Sequence, residues 1–206
     1  MGLDRLVVAI KYVRYLRLVG PKLERRWSKM KVSTRQIVVV GVLTALTIAL
    51  GASGVGLIGV PTPAGAATTM HIPVIIGGIL EGPLVGSFLG LLFGLFTMHL
   101  GPAIAVIPAR LFIGVAAFYA YRATHFLIQR WLGQSAPVVA AAVAGIVGSV
   151  VNTVGVLTMA TLIGLFTVEA AVSIALLHGV PEAILAAVVS AFLILPLSAV
   201  TKRNQV

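Results

Sequence analysis

Residues 70–80 form an almost wholly apolar run, shorter than the roughly 20 residues that a straight helix needs to cross a bilayer. A polar loop interrupted by prolines, residues 59–69, precedes the run. The sequence Glu81-Gly82-Pro83 predicts a tight turn directly after it. The run therefore predicts a short helix that turns sharply into the next segment, which a simple membrane anchor would not need.

Glycines recur every four residues after this turn, at Gly86, Gly90 and Gly94. Residues at that spacing stack on one face of a helix, and small side chains there let helix backbones approach closely inside lipid. A short helix joined to a glycine-faced helix favours a compact membrane bundle with a cavity.

The composition indicates an integral membrane protein. Of the 206 residues, 59% are hydrophobic and 10% are charged, whereas a soluble domain carries about 25% charged residues. The formal net charge of +10 would suit a nucleic-acid-binding protein, but ten of the fifteen Lys and Arg residues lie at or before Arg35, outside the apolar body. We therefore expect a membrane-surface tail and no nucleic-acid partner. The absence of cysteine excludes disulfides and thiolate metal sites.

The basic residues define an N-terminal extension, residues 1–33, ahead of a membrane domain, residues 34–206. Arg and Lys interrupt the extension throughout, so it lacks the apolar region of a secretory signal. Its apolar residues could give an amphipathic helix at the membrane surface. The alternative is that translation begins at Met30, so that residues 1–29 are a start-site artefact.

Apolar length set against charge predicts six membrane segments. They are residues 36–57, 70–80, 84–100, 107–127, 136–166 and 181–200. Six segments put both termini on one side, and the basic residues at the segment ends (Arg122, Arg130, Lys202 and Arg203) then share that side with the tail. The positive-inside rule makes that side the cytoplasm. The predicted fold is an all-α membrane protein, a six-helix bundle with both termini inside and a ligand cavity facing outward.

Polar groups inside membrane segments are costly and are therefore candidates for function. The candidates for ligand binding are Arg110, Asn152, His71, Glu182, His178 and His99. At about 1.5 Å per residue, Arg110 lies roughly 18 Å above Arg122, and Asn152 roughly 24 Å along its segment. Because Glu182 lies at the outer start of the last segment, these three groups could face one extracellular cavity.

Arg110 is the strongest candidate for an anion site. Pro108 suits the first position of a helix, which would put Arg110 in the first turn at the outer end. A helix N-terminus favours anions, and a guanidinium there would bind a carboxylate or phosphate. The alternative is an internal ion pair with Glu182 or Glu169, and the two interpretations can coexist.

The other polar candidates have structural alternatives. Glu182 follows Gly179-Val180-Pro181, so it could simply cap the last helix. Asn152 either bonds a ligand amide or hydroxyl or ties helices together. The three candidate histidines, His71, His99 and His178, each end an outer segment, where backbone or water commonly satisfies an imidazole. A further stripe of Gly41, Ala45 and Ala49 has the spacing of a close helix contact, within the protein or with a partner subunit, and spacing alone favours internal packing.

Several motifs, taken in order, resemble the substrate-binding (S) components of energy-coupling factor (ECF) transporters. They are Ala45-x-x-x-Ala49, His71-Ile72-Pro73, Gly82-Pro83-x-x-Gly86, Ile107-Pro108-Ala109-Arg110-Leu111, Gly148-x-x-x-Asn152-Thr153 and Gly179-x-Pro181-Glu182-Ala183. The resemblance runs from about residue 30 to residue 202 and includes all six segments.

This resemblance implies a multi-pass subunit of a prokaryotic cell membrane that captures a vitamin or similar micronutrient from outside. It would dock on a transmembrane T subunit that carries two cytoplasmic ATPases. The family's alanine motif contacts the T subunit, so the resemblance assigns the stripe (Gly41, Ala45 and Ala49) to partner coupling instead of internal packing. An S component is not an enzyme and needs no cofactor or metal, and no Walker-type Gly-Lys-Ser/Thr occurs here.

The motif set looks most like the pantothenate-type branch, with Arg110 for the ligand carboxylate and Asn152 for a polar arm. The connection of residues 98–106 is shorter than is usual in that branch, and Val151 stands where a Thr is usual. Folate, thiamine, hydroxymethylpyrimidine and an unassigned ligand are therefore alternatives.

Three other functional classes are alternatives. Met70-His71-Ile72-Pro73 mimics the N-terminal signature of cobalt and nickel uptake subunits, but here it is internal and no second His lies close by. An intramembrane enzyme could use His178 and Glu182 as a metal pair at helical spacing, but Pro181 interrupts the helix and no nucleophile set is evident. A purely structural membrane protein is the third alternative.

Overall fold

The computed structural model describes residues 33–59 and 66–203. Apart from Ser33, the N-terminal extension lies outside these residues, and so do the surface helix and the alternative start site proposed for it. The chain divides into two compact units, Met1–Ile37 and Val38–Val206. In the first unit, the Ser33 N–H donates to Gln36 Oε1 (3.0 Å) and the Gln36 N–H donates to Ser33 Oγ (3.2 Å). This reciprocal capping box is the start signal of the first helix.

The described chain is mostly helical. Its helices are α1 (Thr34–Ala52), α2 (Ile72–Glu81), α3 (Pro83–Phe96), α4 (Ala103–Leu111), α5 (Ile113–Leu132), α6 (Ala136–Leu162), α7 (Val168–Ile174) and α8 (Val180–Arg203). Short 3-10 turns cover Met98–Leu100 and Gly133–Ser135, and a π-helical turn, Ala175–Gly179, joins α7 to α8. Two antiparallel strands, β1 (Leu57–Gly59) and β2 (Ala66–Thr68), form a small ribbon in which Leu57 lies opposite Thr68.

A helix lies in each of the six apolar segments that the sequence predicts, but some boundaries differ, and the fourth segment, residues 107–127, is divided between α4 and α5. The first segment was expected to reach residue 57, whereas α1 ends at Ala52 and Leu57 begins β1. The fifth was expected to reach residue 166, whereas α6 ends at Leu162. In both places a glycine with positive φ follows the helix, Gly54 (74°) and Gly164 (76°), a conformation that favours glycine and ends a helix.

By length and composition, three stretches of the described residues could cross a membrane. They are Thr34–Ala52, Ala103–Leu162 and Val168–Leu197. The helices α2 and α3 are apolar but shorter. Large apolar side chains also cover the outside, including Leu84 (74% exposed) and Phe192 (79% exposed). Water would disfavour so much exposed apolar surface, whereas lipid accepts it. The fold is that of an all-α membrane protein with one small ribbon.

The short helix α2 is the centre of the bundle. All of its residues from Ile72 to Ile79 are buried, and it packs against α3, α5, α6 and α8. Gly82 (φ 97°) and Pro83 join α2 to α3 without a loop, so the predicted tight turn is confirmed. A helix surrounded in this way needs apolar residues on every side, which explains why the run shows no polar face.

The glycine face of α3 lies directly against α4 and α5. A Cβ on Gly86 would come within 2.8 Å of the Gly114 carbonyl carbon, and one on Gly90 within 2.8 Å of the Arg110 carbonyl carbon. A Cβ on Gly94 would lie 3.2 Å from the Ile107 Cα. The close helix approach predicted from the four-residue spacing is therefore confirmed, and it fixes the backbone of α4 at Arg110.

Candidate functional site

A cavity of about 280 Å³ lies in the second unit, between α4, α6, the π-helical turn, the start of α8 and the ribbon. Its polar lining residues are Thr68, Arg110, Asn152, Thr153, His178 and Glu182. Its apolar lining includes Met70, Val106, Leu157 and Phe166. Four of the six residues predicted to bind a ligand thus line one cavity, although their sequence positions range from 110 to 182.

Arg110 lies in the last turn of α4, not in the first turn of a helix as expected. The helix begins at Ala103, directly after Pro102, and Pro108 lies inside it. Both prolines are compatible with a helix start, and the structure uses the earlier one. The predicted anion site at a helix N-terminus is therefore wrong for Arg110, and any anion binding there depends on the guanidinium itself.

The guanidinium of Arg110 is held from one side by Phe93. Its Cζ lies 4.0 Å from the Phe93 ring centroid, and Nη1 donates to the Phe93 carbonyl oxygen (3.5 Å). The cation over the ring face is a favourable cation–π contact. Only 6% of Arg110 is exposed, and its buried Nε has no hydrogen-bond partner among the described residues. The side chain is thus positioned while part of its donor capacity is left for a ligand.

Glu182 connects the ribbon to the helices. One carboxylate oxygen accepts the backbone N–H of Thr68 on β2, and the other accepts the hydroxyl of Thr153 on α6 (3.0 Å). The bonds described for this carboxylate come from other elements, so capping of α8 does not account for its position. It attracts Arg110 electrostatically, but no ion pair joins the two among the described residues. Glu169 is exposed on α7, so the alternative of an internal ion pair is not observed with either carboxylate.

Asn152 projects from α6 next to the residue that bonds Glu182. It is 4% exposed, and its Oδ1 has no hydrogen-bond partner among the residues that the structure describes. The helix-tying interpretation is therefore not observed for that oxygen. A buried amide oxygen without a partner carries a desolvation cost that a donor on a ligand would remove.

The three candidate histidines occupy different environments. His178 is 3% exposed, lies in the π-helical turn and lines the cavity. Such turns occur frequently at functional sites. His71 is fully buried immediately before α2, close enough to Arg110 to interact with its charge, but it is not part of the lining. His99 is exposed in a 3-10 turn, its Nδ1 lies 2.9 Å from the Phe96 carbonyl oxygen, and the structure does not bring it to the cavity.

Thr68 and Met70 are lining residues that sequence reasoning missed. Thr68 reaches Glu182 through its backbone N–H, which no side-chain pattern encodes. The sequence predicts a loop before residue 70, whereas part of it pairs as a ribbon beside the cavity. A polar threonine pair, Thr68 and Thr69, directly before the apolar run was the available signal.

The small-residue stripe of α1 faces outward. Gly41, Ala45 and Ala49 are exposed, and a Cβ on Gly41 would meet nothing within 4 Å. The internal packing that spacing alone favours is therefore wrong. The opposite side of α1 contacts the core through Val40 and Leu43. Small residues at this spacing are typical of helix faces that allow a close approach by another helix.

Comparison with known proteins identifies the family. A family model described as "ECF transporter, substrate-specific component" matches residues 35–198, most of the chain. No curated protein matches. The family consists of transporter components, which associate with T and ATPase subunits, and it is not an enzyme family. Among the described residues, no group of three His, Asp or Glu side chains could hold a metal ion. The chain belongs to the substrate-specific component family of ECF transporters.

Proposed function

We propose that the protein captures a small carboxylated vitamin, with pantothenate as the best candidate, from outside a prokaryotic cell. The observation that carries this proposal is the buried guanidinium of Arg110 at the wall of the cavity. Phe93 contacts one side of the guanidinium, and Nε is without a partner among the described residues. A carboxylate that takes up the remaining donors would form two charge-assisted hydrogen bonds and neutralise a costly buried charge.

The rest of the cavity supports a small, mostly apolar ligand with one or two polar groups. Asn152 would bond an amide or hydroxyl of the ligand, and His178 is a further polar contact. The volume of about 280 Å³ is at the lower end of the range for small-molecule sites. A vitamin of the size of pantothenate suits this space better than folate does.

The proposal includes six membrane spans with both termini in the cytoplasm and the cavity toward the outside. The basic residues at the segment ends support this orientation. The exposed stripe of Gly41, Ala45 and Ala49 would contact the T subunit, and two cytoplasmic ATPases would drive uptake. Neither His71 nor His99 lines the cavity, so neither has a part in the proposal.

Titration calorimetry of the purified protein tests the ligand. A panel of pantothenate, folate, thiamine and hydroxymethylpyrimidine should give tight binding for pantothenate without ATP. We expect Arg110→Gln to weaken that binding by about 100-fold or more, because each of the two bonds to the charged group contributes about 1.5–3 kcal/mol. The matched control is Arg122→Gln, since Arg122 is exposed on α5 and outside the cavity lining.

Two results would contradict the proposal. Unchanged affinity in Arg110→Gln would remove the carboxylate assignment. Growth of a vitamin auxotroph on low external vitamin should require co-expressed T and ATPase subunits, and growth without them would exclude ATP-driven transport.

A further inference from the structure

We propose that the substrate carries hydrogen-bond donors such as hydroxyls in addition to its carboxylate, and that Glu182 recognises them. This inference rests on the proposed function, because it concerns the same cavity. It assigns to Glu182 the selection between carboxylates that carry donors and carboxylates that do not.

The carboxylate of Glu182 has acceptor capacity left after its protein contacts. An ionised carboxylate accepts about four hydrogen bonds. Among the described residues it receives two, one on each oxygen, from the Thr68 N–H and the Thr153 hydroxyl. These contacts fix the group at the cavity wall, and each oxygen can still accept a donor from a ligand. A glutamate that only held the ribbon against α6 would not need to line the cavity.

The charges of the cavity lining also support a ligand that carries hydrogen-bond donors. Of the described lining residues, Arg110 is the formal cation and Glu182 the formal anion, and His178 is the other titratable group. The two charges attract one another without direct contact. When a ligand carboxylate pairs with Arg110, the guanidinium no longer offsets the buried Glu182. Donors on the same ligand would then supply the hydrogen bonds that a buried anion requires.

Pantothenate and its dideoxy analogue, N-(3,3-dimethylbutanoyl)-β-alanine, form the matched probe pair. They share the carboxylate, the amide and the carbon skeleton, and the analogue lacks both hydroxyls. We expect the wild-type protein to bind pantothenate about 10- to 100-fold more tightly than the analogue, because hydrogen bonds to a charged group are the strong ones. In Glu182→Gln the ratio should fall below about fivefold, since a neutral amide oxygen accepts more weakly.

Calorimetry of both probes with each protein gives the ratio, and Glu169→Gln is the matched control. Glu169 is exposed in the first turn of α7 and is not a lining residue, so its replacement should leave the ratio unchanged. Should Glu182→Gln fail to fold, Glu182→Asp serves in its place. Asp keeps the charge but withdraws the carboxylate by one methylene, and it should lower the ratio as well.

The outcomes separate this inference from the proposed function. A wild-type ratio below about threefold, or the same ratio in wild type and Glu182→Gln, overturns the role of Glu182. If Arg110→Gln still weakens both probes in that case, the carboxylate assignment stands alone. If the wild-type protein binds neither probe, both the pantothenate assignment and this inference are overturned.

Discussion

A substitution at Gly90 tests directly how the helix bundle positions the guanidinium of Arg110. The ideal Cβ of an alanine at this position would lie 2.8 Å from the Arg110 carbonyl carbon and 3.3 Å from the Leu111 Cα. Both atoms belong to backbone, so no flexible side chain can move aside. Gly90→Ala must therefore push α4 away from α3, and it must move Arg110 with it.

The chain provides a graded series of the same substitution. At Gly94 the nearest atoms to an added Cβ are the Ile107 Cα at 3.2 Å and Cγ1 at 3.3 Å, which a shift of a few tenths of an ångström relieves. At Gly41 nothing lies within 4 Å. All three glycines lie in helices, so the gain in helix propensity, about 1 kcal/mol, is common to them. The differences between the variants thus report packing.

The expected free energies follow from these distances. Overpacking costs about 1–3 kcal/mol, and rigid backbone puts Gly90 in the upper part of that range. After the propensity gain, Gly90→Ala should lower the free energy of unfolding by about 1–2 kcal/mol. Gly94→Ala should be near neutral, and Gly41→Ala should raise the free energy of unfolding by about 0.5–1 kcal/mol.

Equilibrium unfolding in mixed micelles, followed by circular dichroism, measures these values. Calorimetry with pantothenate on the folded variants should show weaker binding for Gly90→Ala, because the displaced carbonyl is that of Arg110. A Gly90→Ala variant as stable as Gly41→Ala, or one destabilised without any loss of affinity, would contradict the positioning of Arg110 by the α3–α4 contact.

Two further predictions concern the small-residue stripe of α1 and the hydrogen bond between Thr153 and Glu182. Replacement of Ala45 and Ala49 by Trp should abolish uptake yet leave ligand affinity unchanged, because the stripe is exposed. The control, Ala123→Trp on α5, should change neither uptake nor ligand affinity. Loss of binding in the double variant would mean that these alanines support the fold. Thr153→Val keeps the side-chain shape but removes the hydroxyl that bonds Glu182. We therefore expect the free energy of unfolding to fall by about 1.5–3 kcal/mol. Thr153→Ser keeps the hydroxyl and should stay near wild type. Equal stability of all three proteins would show that this hydrogen bond contributes nothing.

The sequence predicts the helices better than it predicts their starts. Long apolar stretches and the turn at Gly82 are local signals, and the structure has helices and a turn there. Two prolines six residues apart, Pro102 and Pro108, each offer a start for the helix that carries Arg110. Local pattern cannot choose between them, because the choice depends on how that helix packs against the glycine face of α3.

The sequence predicts the site only in part, again because some of its contacts depend on how the chain packs. The cost of a polar group in lipid singles out Arg110, Asn152 and Glu182 whatever their neighbours are. Their partners depend on the folded backbone: Phe93 lies beneath the guanidinium, and the Thr68 N–H meets the carboxylate. His99 is the opposite case. A histidine at the end of a membrane segment is a candidate for ligand binding, but the turn that contains His99 places it outside the cavity lining.

The contact between Thr68 and Glu182 joins residues 114 positions apart in the chain. During synthesis the ribbon and the central helix leave the ribosome long before α8 does. Until α8 inserts, the cavity has the guanidinium of Arg110 but lacks the carboxylate of Glu182 and the wall that α8 forms. We therefore expect a nascent chain that stalls before residue 182 to lack the completed cavity.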